Sequence, residues 1–201
     1  MGNGCCLKLL HGRYSFPEVI ESEGCEAVVP GLAEFFLYGI SNSIWHSQHN
    51  GTPKKKARGS KLSLKGIDII RKPIFGALSK SKRFQPPTPI LELADFARPI
   101  LSLCHTMGEG WLLTAEMVEL IHSGAPNIAC LQPFACLPNH VTGKGVIKEL
   151  RRVYPQSNIV AIDYDPGASE VNQLNRIKLM ISVAKHNFEE ERKAAAASAS
   201  E

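Results

Sequence analysis

Residues 127–134 read NIACLQPF and residues 158–165 read NIVAIDYD, two short apolar runs whose interpretation decides the fold. Gly124 and Pro126 precede the first run, and Pro138 and Asn139 follow it, which suits a strand buried on both faces. Between the runs Val146, Ile147, Leu150, Val153 and Tyr154 recur at spacings near three and four. Lys148, Glu149, Arg151 and Arg152 take the other face and Pro155 closes the pattern, so the spacing predicts an amphipathic helix. A second, long helix is expected from about Ser169, with Val171, Leu174, Ile177, Ile181, Ala184 and Phe188 as its apolar stripe. Strand, helix, strand, helix at these lengths is a βαβα unit with a right-handed crossover.

The expected fold is therefore α/β: an open, mostly parallel sheet of Rossmann-like βαβα units carrying a basic helical insertion. Ligands of such sheets gather outside the carboxyl ends of the strands. That places the candidate chemistry on a loop at 135–145 (ACLPNHVTGKG) and on a turn at 165–168.

Working outward, residues 7–10, a helix-like stretch at 15–23 and the run at 26–30 form a plausible first βαβ unit, and 31–45 continues as an apolar helix. From Lys54 to Arg83 there are eleven Lys or Arg against one acid, Asp68, a net +10; the rest of a chain of net charge +4 then carries −6. That asymmetry suits an acidic partner, nucleic acid or the phosphates of coenzyme A among them. A solvated helix serves equally, since Leu62, Leu64, Ile67, Ile70, Ile74 and Leu78 supply an apolar face. Phe75 in the segment and Phe84 just beyond it are the only aromatics here, which disfavours stacking on nucleic-acid bases. Pro86, Pro87 and Pro89 make a stiff connector. Residues 90–97 look helical and 99–103 strand-like, before the glycine-rich CHTMGEGW at 104–111. The domains expected on this reading are 1–48, a first βαβ unit and helix; 49–89, basic insertion and connector; 90–188, the main βαβα region; and 189–201, a low-complexity tail.

The chain of 201 residues is 44% hydrophobic and 21% charged, a globular composition. It contains no apolar run of membrane-spanning length and no secretory leader, so a cytoplasmic protein without a membrane partner is expected. The start MGNGCC resembles an acylation signal, but Cys6 stands where Ser or Thr is usual. Six cysteines, at 5, 6, 25, 104, 130 and 136, are too few and too irregular for a disulfide scaffold.

Cys136 follows the first central strand and precedes a helix whose N-terminal N–H groups favour a thiolate. Cys130 lies inside the strand, where a thiol is ordinarily a small buried hydrophobe. Cys104 sits beside His105 in the glycine-rich turn, and His140 either binds a metal or a polar group or orders its loop. Pro138 and Gly145 break the phosphate-loop pattern in TGKG at 142–145; a backbone anion site near Gly143 and Lys144 and a plain helix start both remain open. Asp163 and Asp165 suit acid–base work or ordinary turn chemistry.

Three stretches, GEGWLLTAEMVELI (108–121), QPFACLPNHVTGKG (132–145) and AIDYDPGASEVNQLNRIKLM (161–180), resemble the C-terminal region of the large activase-related proteins of the 2-hydroxyacyl-CoA dehydratase family. The resemblance implies an iron–sulfur protein, 4Fe-4S in type, in ATP-driven low-potential electron transfer for acyl-CoA dehydration. It makes Cys136 the metal ligand; Asn139, His140, Gly143 and Lys144, on the same loop, are the further candidates for cofactor binding. It further implies a fragment: the remaining cluster cysteines and the nucleotide-binding domain belong to upstream parts absent from this chain. Missing activase or dehydratase domains or subunits and acyl-CoA are the partners so implied; exposed sheet edges suit a second copy as well, and nucleic acid is disfavoured. The alternatives are a non-catalytic interaction domain and a basic module binding CoA or nucleic acid.

Overall fold

The computed structural model describes residues 4–7, 16–164, 167 and 169–198. Residues 1–3 of the acylation-like start, most of the expected strand at 7–10, and Asp165, Pro166 and Ala168 of the expected turn lie outside them; the strand that is described covers Gly4–Leu7, three residues ahead of the expected one. The chain is a mixed helix/strand protein of two compact units, Met1–Pro30 with Leu120–Glu201, and Gly31–Glu119. These boundaries differ from the expected ones at 48 and 89. The apolar helix after Pro30 and the segment up to Glu119 both group with the basic insertion, because they share its core.

The first unit is built on a parallel sheet. β1 (Gly4–Leu7), β2 (Glu26–Val28), β3 (Asn127–Pro133) and β4 (Asn158–Tyr164) lie in the order β2-β1-β3-β4. β3 and β4 run in register for seven residues, from Asn127 beside Asn158 to Pro133 beside Tyr164, whereas β1 pairs with each neighbour over three. β3 is buried over its central five residues, the burial that its nearly continuous apolar run demands. One core gathers Phe16 and Ile20 of α1 (Phe16–Ser22), Ala129 and Leu131 of β3, Ile162 of β4, and Ile177, Met180 and Ile181 of α7 (Glu170–Ser198). Asn158 ties the strand starts together, its Nδ2 donating to Asn127 Oδ1 at 3.0 Å and to the Met180 carbonyl at 2.9 Å. The stripe expected for α7 is buried only over Ile177, Ile181 and Ala184, with Met180 added; Val171 and Phe188 are exposed, and the helix continues through the expected tail to Ser198.

β4 ends the described sheet, and the outward carbonyls of that edge are taken by side chains. Arg151 Nη2 donates to the Ile159 carbonyl at 2.5 Å, Arg176 Nη1 to Ala161 at 3.0 Å and Gln173 Nε2 to Asp163 at 3.1 Å. Three successive acceptors that would template another strand are thereby occupied, which blunts the edge.

The second unit is helical. α2 (Leu32–His49) and α3 (Lys54–Leu78) form an antiparallel pair, as the contacts Ser43 Oγ to Ser60 Oγ at 2.5 Å and Arg71 Nη2 to Glu34 Oε1 at 2.7 Å show. They share a core with α4 (Ile90–Ala97) and the first turns of α5 (Trp111–His122), through Leu37, Tyr38, Trp45, Leu64, Leu93, Trp111 and Leu112. Residues 99–103, expected as a strand, form turns and bends instead, with Ile100 and Leu101 N–H both bonded back to the Ala97 carbonyl as an overrun of α4. The glycine-rich turn closes over Tyr38. Gly110 has φ +46°, and a Cβ there would collide with the His105 carbonyl and the Tyr38 hydroxyl, so only glycine fits. Gly124, at φ +87°, ends α5 with the Ala125 N–H returning to the Leu120 carbonyl at 2.8 Å.

Candidate functional site at the carboxyl end of the central strand

The expected loop at 135–145 is mostly helix. After a turn over Phe134–Cys136 the backbone is helical from Leu137, passes through a π-helical turn at Asn139–Gly143 and a 3-10 turn at Lys144–Val146, and becomes α6 (Ile147–Val153). Pro138 is tolerated in a first helical turn. Its presence with Gly143 and Gly145 makes the stretch read as loop by propensity, but Asn139 and Thr142 are buried there, and packing overrides propensity. Thr142 Oγ1 donates to the Pro138 carbonyl at 2.9 Å inside the π-helical turn, a helix irregularity common at functional sites.

Cys136 stands between strand and helix, half-buried. Ala135 before it has φ 54°, the one described non-glycine residue in the left-handed region, where a Cβ costs roughly 1–2 kcal/mol. The backbone holds the thiol from both sides: the Cys136 N–H donates to the Pro133 carbonyl at 3.1 Å, and the Cys136 carbonyl accepts the His140 N–H at 3.1 Å. Asn139 Nδ2 donates to Cys136 Sγ at 3.0 Å. His140 turns Nδ1 onto the Cys136 carbonyl at 2.9 Å, in the tautomer that carries the Nδ1 proton, so its ring orders the turn.

The other expected residues divide. Gly143 and Lys144 do not frame a free-amide anion cradle, because the Lys144 N–H is already bonded to the Asn139 and His140 carbonyls inside the helical run. Lys144 instead reaches across the crest, pairing Nζ with Asp163 Oδ1 at 3.0 Å, and Asp163 is thereby an ion-pair partner at the end of β4. Cys130 is 7% exposed within β3 and accepts the Gln132 Nε2 hydrogen at 3.1 Å. Cys104 is exposed and belongs to the helical unit. Among the described residues no three His, Cys, Asp or Glu side chains converge as a metal site.

Gln132 was not singled out by the sequence reading. It is 1% exposed, and its Oε1 is buried without a hydrogen-bond partner among the described residues. A buried amide oxygen left without a donor costs about 1–3 kcal/mol, which calls for an explanation in a bound group or an ordered water. The signal was present in the chain: a long polar side chain closing an otherwise apolar strand, four residues before Cys136.

No family model matches the chain, and neither the curated proteins nor the solved structures include a match.

Proposed function

We propose that the sheet unit is a Rossmann-like module of a 2-hydroxyacyl-CoA dehydratase activase-like protein, presenting Cys136 as one thiolate ligand of a shared iron–sulfur cluster. The observation that carries this reading is the setting of the Cys136 sulfur. It lies at the carboxyl crest of the central strand, directly before a helical run, and accepts the Asn139 amide hydrogen at 3.0 Å; Cys130, in the same strand, is buried.

The donor set fits one corner of a cluster. Such clusters need three or four thiolates, so the remaining ligands come from a partner domain or subunit. A bound cluster would supply a low-potential electron to an acyl-CoA thioester. The chain's own residues hold and tune the ligand. Ala135 and the Pro133 carbonyl fix the turn, His140 fixes the Cys136 carbonyl, and the Asn139 side-chain Nδ2–H draws electron density from the sulfur, which would raise the potential of a metal bound there. The Lys144–Asp163 pair and the unpartnered Gln132 Oε1 lie at the same ends of β3 and β4 and give the crest polar groups for a substrate or a partner.

Anaerobic reconstitution with iron, sulfide and an excess of a small thiol to complete the coordination is the test. The reading predicts a broad visible absorption that Cys136→Ser abolishes and Cys104→Ser leaves in place. A spectrum indifferent to Cys136→Ser overturns it.

A further inference from the structure

The outer face of α3 has no occupant in the helical unit. Its inner face is fixed by Ala57 and Leu64, both buried, and by the Arg71–Glu34 pair. At about 100° per residue, Lys54, Arg58, Lys61, Lys65 and Lys72 fall in one stripe roughly 60° wide, running about 27 Å along the helix. All five are exposed, and among the described residues none is in an ion pair. Asp68, the segment's one acid, is half-buried to the inner side of this stripe.

On the outer side of the stripe the helix shows aliphatic groups to solvent. Leu62 is 73% exposed and Ile69 56%, and Ile70 and Ile74 follow farther round at 77% and 59%. Between them stand Gly59, Gly66 and Pro73, so the aliphatic chains project from a low surface. A solvated helix gains nothing from four bare aliphatics beside five unpaired cations. A nucleic-acid backbone would engage the cations and leave the aliphatics unused.

From this juxtaposition we propose that α3 docks on an anionic lipid surface, lying in the plane of the headgroups with its cations on lipid phosphates or carboxylates and Leu62 and Ile69 entering the acyl boundary. A basic stripe adjoining an apolar one on a helix too polar to span is the pattern of an interfacial helix, and among the described residues no helix is long and apolar enough to cross a membrane. Such docking requires no membrane span, leader or acylation signal, so it stands apart from the features behind the expectation of no membrane partner. The proposal is independent of Cys136 and its ligands.

The test is co-sedimentation of the full chain with vesicles of phosphatidylcholine alone and of phosphatidylcholine with phosphatidylserine. Binding is expected only to the anionic vesicles. Lys61→Gln with Lys65→Gln should weaken it roughly 30-fold, near one kilocalorie per mole for each cation removed. Leu62→Ser with Ile69→Ser should weaken it at unchanged charge, and these side chains are exposed enough to be replaced without unfolding, which circular dichroism checks. Failure of the parent chain to sediment with anionic vesicles overturns the proposal. So does a serine pair that binds vesicles as tightly as the parent, and so does duplex DNA that strips the parent from vesicles while binding the serine pair equally, an outcome that assigns the stripe to nucleic acid. Salt and lipid dependence of the parent alone decide the matter if a variant misfolds.

Discussion

The sheet unit and the helical unit manage polar groups in opposite ways. In the sheet unit the exposed carbonyls of β4 are capped by Arg151, Arg176 and Gln173, and the ion pair Lys144–Asp163 stays at the half-exposed crest. In the helical unit a carboxylate goes inside: Glu34 is 5% exposed and held by Arg71, while the Tyr38 hydroxyl and the Trp45 indole N–H are buried without a hydrogen-bond partner among the described residues. The lesson is that the sheet rests on apolar packing, with its edge acceptors satisfied at the rim and an orphan, Gln132 Oε1, at the end of its central strand, whereas the helical pair takes a charge pair inside its packing. Lys54, Arg58, Lys61, Lys65 and Lys72 stay on its exposed face.

The strongest way to probe this contrast is the centre of the sheet. Ile162 is fully buried among Leu131, Ile177 and Met180, and Ile162→Ala should lower unfolding free energy by about 3–4 kcal/mol in urea titration. A loss below about 1 kcal/mol would mean that apolar packing does not carry the sheet. Next is Arg71→Ala, which strands the Glu34 carboxylate and should cost roughly 3 kcal/mol. Adding Glu34→Gln to that variant should recover a large part of the loss, since the stranded charge is the main penalty. If the single variant is neutral, the two units do not differ as described.

The smallest effect is a pH dependence. Burial pushes the Tyr38 hydroxyl up to about 12, with the Glu109 charge adding and the neighbouring Asn42 amide opposing. The folded chain keeps that proton to about pH 12, while the unfolded chain loses it near 10. Between those values the unfolded state binds fewer protons, so stability is full below pH 10 and falls as pH rises toward 12. Ultraviolet titration of the tyrosines should show a component near 12 that is absent in Tyr38→Phe.

Much of the sheet was legible because burial on two faces forces a nearly unbroken apolar run, which residues 127–133 and 158–164 display. Strand β3, strand β4, α4 and the start of α7 follow the expected positions closely. The crest was legible in position and misread in form. Cys136 stands at the strand's carboxyl end, yet Pro138, Gly143 and Gly145 concealed a helical run whose stability comes from burying Asn139 and Thr142. Gln132 escaped notice because its burial depends on what packs over it, a fact that no local pattern contains.

The amino-acid order alone set the apolar periods, the charge segregation between Lys54–Arg83 and the remainder, the turn at 110 that only glycine fits, and the glycine that ends α5 at 124. Three-dimensional packing decided which members of each period meet: Leu64 inward and Leu62 outward on the same helix, Glu34 facing Arg71, Asn139 reaching the Cys136 sulfur. The physical reason is range. Steric limits on φ and the repeat of a helix act over a few residues and are written in the chain, whereas burial is a property of the neighbours that long-range contacts supply.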